Sequence, residues 1–242
     1  MAKGRRNNSS VSILRFLLPM SLAAIVVGSG YWGWRQLMKP DTLPFHHIQI
    51  TSKETHLSAA GLEKVAWGNL QGGFFSLKGN RLKRALLDLP WVADVSFRRH
   101  WPDTLQIMVT EQQPLARWGK AGVINNHGDV FYPAPKTIPK DLSILKGPDR
   151  DEKEIVSNYQ MISDAASAQN LFVKQFDVSS RLSYRVALSN GIIVVIGREA
   201  ITQRFNRFMK LYPRLIGQKS AQVLRVDLRY ANGIAIRWKS KK

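Results

Sequence analysis

Residues 89–109 read LPWVADVSFRRHWPDTLQIMV, and this stretch decides the fold of the first half of the chain. Ala93, Val95 and Phe97 alternate, and so do Leu105, Ile107 and Val109. A period of two puts such side chains on one face of a strand. Between the runs, Trp101-Pro102-Asp103-Thr104 is a turn signal: proline presets the backbone and aspartate bonds its own main chain. The two runs therefore form a β-hairpin. Upstream, Pro90 ends a helical pattern carrying Leu82, Ala85, Leu86 and Leu89, with Asn80 as its expected N-cap. Gly68 to Gly73 breaks the chain before it. An earlier helix is expected over Ser58 to Trp67, with Ser58 as N-cap and Leu62, Val65 and Ala66 on one side. Phe45 to Thr51 reads as a strand with Ile48 and Ile50 on one face. The order is β-α-α-β-β. Trp91, Val95 and Phe97 are expected to support the sheet against the helix of Leu82, Leu86 and Leu89.

A second, strand-rich unit begins near Pro114. Its turns fall at Asn125–Asp129 (NNHGD), Asn190-Gly191 and Asn232-Gly233. Two helices interrupt it. One covers about 151–169, with Ile155, Tyr159, Ile162 and Ala166 on one stripe; the other covers about 199–212, with Ile201, Phe205, Phe208 and Leu211. Such stripes are core far more often than cofactor pocket. A strand pair closes the chain: Leu224, Val226 and Leu228 alternate, Asn232-Gly233 turns, and Ile234, Ile236 and Trp238 alternate. Four residues follow Trp238. A last strand with nothing to cover its edge either aggregates or accepts a partner strand.

Before both units, residues 16–34 (FLLPMSLAAIVVGSGYWGW) carry no charge. With Ile13 and Leu14 the stretch reaches the roughly 20 apolar residues that span a bilayer as a helix. Tyr31, Trp32 and Trp34 cluster at its far end, where an aromatic belt belongs, and Arg15 snorkels at the near end. The short basic tail holds the N-terminus in the cytoplasm and sends the body to the outer face. A cleaved signal peptide is the rival, but the small pair Gly28 and Gly30 is followed by bulky aromatics. The expected organisation is a cytoplasmic tail (1–12), a transmembrane helix (13–34), a linker (35–43), the first unit (44–112) and a β domain (113–242).

Composition excludes more than it names. At 242 residues with 44% apolar and 22% charged, the chain has ample material for a core and is not disordered. Without cysteine it has no disulfides, thiolate zinc sites or cysteine nucleophile. The net charge of +19 draws the chain to polyanions, but the basic residues are spread over the body rather than set in the stripe typical of nucleic-acid binders. His46, His47, His56, His100 and His127 make no metal-ligand spacing and read as solvent-exposed. No nucleophile elbow, phosphate loop or kinase signature occurs. No catalytic, cofactor or metal residue is assigned, and an enzyme is not expected.

Four stretches resemble the FtsQ/DivIB family of bacterial cell-division proteins, most closely its proteobacterial branch. The first runs from Leu89–Val95 through Trp101-Pro102-Asp103 to Leu105-Gln106-Ile107. The second is Glu111 through Pro114 to Ala116-Arg117-Trp118. The third is Gly197-Arg198, Arg204-Phe205, Phe208 and Leu211-Tyr212-Pro213. The fourth is Val226–Tyr230 (VDLRY) with Gly233, Ala235 and Trp238. The resemblance implies an α+β chain: an N-terminal transmembrane helix, a POTRA domain (β-α-α-β-β), and a mostly antiparallel β domain with two or more helices. It also implies a scaffold of the inner membrane and division septum, with no cofactor. Its implied partners are FtsB and FtsL, with FtsB adding a strand to the last strand and the POTRA domain contacting other division proteins. On this reading the partner site comprises Arg198, Arg229, Tyr230, Asn232, Gly233, Ile234, Ile236 and Trp238. Tyr230 and Trp238 are large amphipathic anchors, and the arginines suit carboxylates on a partner. The alternatives are a POTRA-bearing envelope transport or assembly component, which usually carries several such repeats or a barrel, and a tethered nucleic-acid binder, which the topology opposes.

Overall fold

The computed structural model describes residues 9–39, 41–52, 56–230 and 233–239, with the side chains of 9–19 and 21 outside that description. The chain divides after Glu111 into two units. The first opens with helix α1 (Ser9–Leu37), along which Leu22, Ile25, Val26, Trp32 and Trp34 stand exposed. Among the described residues no helix is long and apolar enough to cross a membrane. The expected span, 13–34, begins in residues whose side chains lie outside the description.

The β-α-α-β-β order then follows as read: β1 (His47–Thr51), α2 (Ala59–Asn69), α3 (Gly79–Leu87), β2 (Val92–His100) and β3 (Thr104–Glu111). The sheet order is β1-β3-β2, with β1 parallel and β2 antiparallel to β3. Leu62 and Ala66 of α2 and Leu82 and Leu86 of α3 are buried with Val92, Val95, Leu105, Ile107 and Val109 in one core. Removing each leucine side chain from water contributes about 1.5–3 kcal/mol. Ser58 caps α2 by accepting a hydrogen bond from Gly61 N, and α2 runs on through Gly68.

Three details depart from the reading. Asn80 does not cap α3. The helix starts at Gly79, because Lys78 N donates to Gln71 O across a tight loop. That loop depends on Gly72, at φ +94°, where a Cβ would lie 2.4 Å from Ser76 O. Second, the register of β2 on β3 slips between Val92 and Asp94, so Val92 faces the core in place of Ala93, which is exposed. The bulge changes the phase before it, while Val95 and Phe97 after it keep the expected inward alternation. Trp91 and Val95 are buried as expected, but Phe97 is only half-buried, with its ring over Gly79. Third, His56 is not a solvated histidine. Its ring stacks on buried Trp91 at 4.0 Å between centroids and pairs through Nδ1 with Glu111. His46, by contrast, is mostly exposed beside Asp103 at 3.2 Å.

The second unit is one sheet covered on one face. Its strands are β4 (Pro114–Trp118), β5 (Gly122–Asn125), β6 (Val130–Phe131), β7 (Ile144–Lys146), β8 (Val173–Val178), β9 (Tyr184–Leu188), β10 (Ile193–Gly197), β11 (Val223–Asp227) and β12 (Ala235–Trp238). Helix α4 (Glu152–Ser167) precedes β8, and α5 (Ile201–Leu215) lies between β10 and β11. Among the described residues the sheet has nine strands in the order β12-β11-β10-β9-β8-β7-β4-β5-β6. The sheet is mostly antiparallel but mixed: β4–β7, β7–β8 and β10–β11 pair in parallel.

Register explains the core. Trp118, Leu145, Phe176, Val186, Val194, Val226 and Ile236 lie in one row across seven strands. They share a cluster with Ile155 and Ile162 of α4 and Phe205 and Phe208 of α5; the α4 stripe is core as expected, while in α5 Met209 and Tyr212 are buried and Leu211 is only partly buried and outside the cluster. Buried Tyr184 holds its hydroxyl near Asn158 and Glu154; burial first, then the Glu154 charge, pushes its ionisation up. The closing hairpin departs from simple alternation. A register shift between Val223 and Arg225 buries Val223 and leaves Leu224 39% exposed.

Candidate partner-binding edge

Strand β12 ends the sheet. Among the described residues it pairs with β11 and with no other strand. One of its main-chain sides therefore faces solvent. Ile234 and Ile236 are half-buried and pack on the core cluster, which holds the strand down. Trp238, opposite Val223, is 44% exposed, and Tyr230 is 58% exposed. Gly233 is exposed, and Asn232 lies outside the described residues.

The segment entering this edge is held by charge. Asp227 takes the Arg229 guanidinium in a fork, with Nε to Oδ1 at 2.9 Å and Nη2 to Oδ2 at 2.7 Å. The fork holds the Asp227 carboxyl below the usual carboxylate range and raises the guanidinium further. Arg207 of α5 donates to Tyr230 O at 3.3 Å and ties the same segment to the helix.

Behind the fork lies Gly197, at φ +91° at the end of β10. A Cβ there would sit 3.2 Å from Arg204 Nη1 and 3.2 Å from Arg229 Cγ, so the two side chains close over the glycine. Arg204 Nη1 donates to Ile196 O at 3.2 Å. Arg198 projects outward, 73% exposed, with Nε 3.6 Å from Glu199. Arg198 and Arg229 line one open pocket of about 360 Å³ with Arg181, Ser183 and Glu199. A second pocket of about 290 Å³ lies between β11 and β12, lined by Arg225, Asp227, Arg229, Ala235, Ile236 and Arg237.

The structure thus brings Arg198 and Arg229 together, and places Tyr230, Gly233, Ile234, Ile236 and Trp238 on or beside one edge. It adds what sequence reasoning missed. Asp227 already occupies Arg229, Gly197 and Arg204 shape the floor, and Arg225 faces Arg237 across the hairpin. The Asp-Leu-Arg spacing could have suggested the fork. The arginine pairing needs the bulged register and has no sequence signal. Among the described residues no group of three or more His, Asp and Glu is placed to hold a metal.

Comparison with known proteins agrees with this architecture. Residues 43–112 match the POTRA domain, FtsQ-type, and residues 116–229 match the family Cell division protein FtsQ/DivIB, C-terminal. The Cell division protein FtsQ of Coxiella burnetii is 38% identical over 236 residues, covering 98% of this chain and 97% of the relative. The chain belongs to the FtsQ/DivIB family. Its FtsQ relatives include that of Cellvibrio japonicus, 31% identical over 224 residues (93% of this chain, 70% of the relative), and that of Methylomonas methanica, 30% identical over 221 (90% and 89%). Membership makes the chain a cell-division protein whose first unit is a POTRA domain. The FtsQ/DivIB match ends at Arg229, immediately before Tyr230 and the terminal strand.

Proposed function

We propose that this chain is a membrane-anchored, non-catalytic scaffold of the division machinery that captures FtsB, and FtsL through it, by accepting a strand on β12. The observation that carries the reading is the outer side of β12 at the end of the sheet, unpaired among the described residues and flanked by exposed Tyr230 and Trp238. An added strand satisfies the open main-chain groups, and aromatic side chains at the margin provide anchors. Arg198, exposed at the rim, steers an acidic partner more than it adds affinity. Residues 44–112 act as the POTRA module, 113–242 as the partner-binding β domain, and 13–34 as the anchor with the body outside the inner membrane.

The test is capture of FtsB from the same genome by the full-length chain. Trp238→Ala and Tyr230→Ala are each expected to weaken capture by about 2 kcal/mol or more while leaving the melting point nearly unchanged. Capture undiminished in both variants would overturn the reading. A periplasm-active phosphatase fused after Lys242 is expected to work; activity of a cytoplasm-only reporter there would overturn the topology.

A further inference from the structure

We infer that the incoming strand must carry an acidic residue on the open face of the sheet, seated by Arg225 and Arg237, with an apolar residue next to it in sequence. The inference rests on the docking role of β12 and specifies the chemistry of what docks.

Across β11 and β12 the fold sets two like charges face to face. Arg225 and Arg237 are direct partners across the antiparallel β11–β12 ladder. Like charges in that position destabilise the pair. The carboxylate in their pocket is Asp227, and the Arg229 fork already engages both of its oxygens. Arg225 and Arg237 form no ion pair among the described residues. Arg225 and Arg237 therefore line a solvent-open pocket of about 290 Å³ whose one carboxylate, Asp227, is forked by Arg229 and reaches Arg225 only through its charge.

Register says what would complete the arrangement. On the open face a row runs Ala187, Ile193, Arg225, Arg237; on the covered face the matching row runs Val186, Val194, Val226, Ile236. A strand added to β12 extends both rows by one position. Its residue beside Ile236 extends the apolar core row, and its residue beside Arg237 meets the arginine pair. Ile236 and Arg237 are neighbours in sequence, so these two partner residues are neighbours as well and point to opposite faces. A carboxylate at the second position is flanked by a guanidinium fork, the geometry that suits it. A lysine there would add a third cation to the row, so the same feature rejects basic strands.

Arg237→Glu separates this role from a structural one, because it pushes stability and binding in opposite directions. It sets a carboxylate opposite Arg225, which turns a like-charge pair into an opposite-charge one. The full-length chain carrying R237E in detergent is therefore expected to melt at the same temperature as the parent or higher. Its affinity for FtsB is expected to fall roughly tenfold or more, since the partner's acid then meets an acid. Arg237→Gln, which cannot repel, is expected to fall between the two and guards against a folding defect in R237E. FtsB variants that replace single acidic residues of the docking strand by lysine are expected to include one that restores binding to R237E. Parental affinity in both R237E and R237Q would overturn the inference and leave the docking edge standing. Failure of the unmodified chain to capture FtsB would instead remove the reading on which it rests.

Discussion

Shortening Ile236 to alanine tests how β12 is held. On the covered face this strand depends on Ile236 and its neighbour Ile234, both half-buried against the core cluster. Isoleucine or leucine to alanine in a full core costs about 2–5 kcal/mol; a side chain only partly buried, as Ile236 is, loses less, about 1–2 kcal/mol. The loss should stay local, because among the described residues β12 pairs with β11 and with no other strand. Edge elements open with free energies well below the global value. Amide exchange at residues 235–238 is then expected to quicken about 5–30-fold, with β8 and β9 unaffected. FtsB capture should fall in parallel. Leu145→Ala, in the same core row but fully buried at the sheet centre, is the contrast. It should cost about 2–5 kcal/mol and lower the melting point of the whole domain. The reasoning fails if Ile236→Ala lowers that melting point as Leu145→Ala does, or leaves exchange at 235–238 unchanged.

Three further outcomes are expected. In the POTRA domain, Leu86→Ala should cost about 2–5 kcal/mol in urea unfolding, and Phe97→Ala only about 1–2, because Phe97 packs on the core while staying partly exposed. Gly197→Ala should destabilise by about 1–3 kcal/mol in thermal melts, since the site is left-handed and the new methyl displaces Arg204 and Arg229. Asp227 has a folded ionisation below its unfolded one, so the fork's contribution is present at neutral pH and lost as pH falls through the folded value. Melting points of the parent and Asp227→Asn chains should therefore differ at pH 7 and converge in strong acid.

The sequence was most legible where periodicity and chain breakers coincide. The helix stripes of Ile155, Tyr159 and Ile162 and of Phe205 and Phe208 are core, and the β-α-α-β-β order holds element by element. It was least legible where a single extra residue resets the period. The bulges at Val92/Asp94 and Val223/Arg225 each exchange an expected inward residue, Ala93 or Leu224, for its neighbour. Asn80 carried the right chemistry for a cap but sits one turn position inside the helix, because the Gly72 loop sets the entry point. The three-residue β7, parallel to both β4 and β8, leaves no periodic trace at all. At the candidate site, the exposed aromatics and the edge could be read from order alone. The Asp227–Arg229 fork and the Arg225–Arg237 opposition arise from register, which no local pattern encodes.

The brevity of β12 bears on what else can assemble at this edge. Its four residues offer roughly 13 Å of open ladder. So short a run makes few main-chain bonds with any added strand, which leaves side-chain charge to decide which strand stays. Two such edges in contact would also add their Arg237 charges to a common cationic field, a barrier of the kind that protects natural sheets from stacking on themselves. The charge on this edge therefore disfavours a second copy of the chain and favours a heterologous segment that brings its own countercharge.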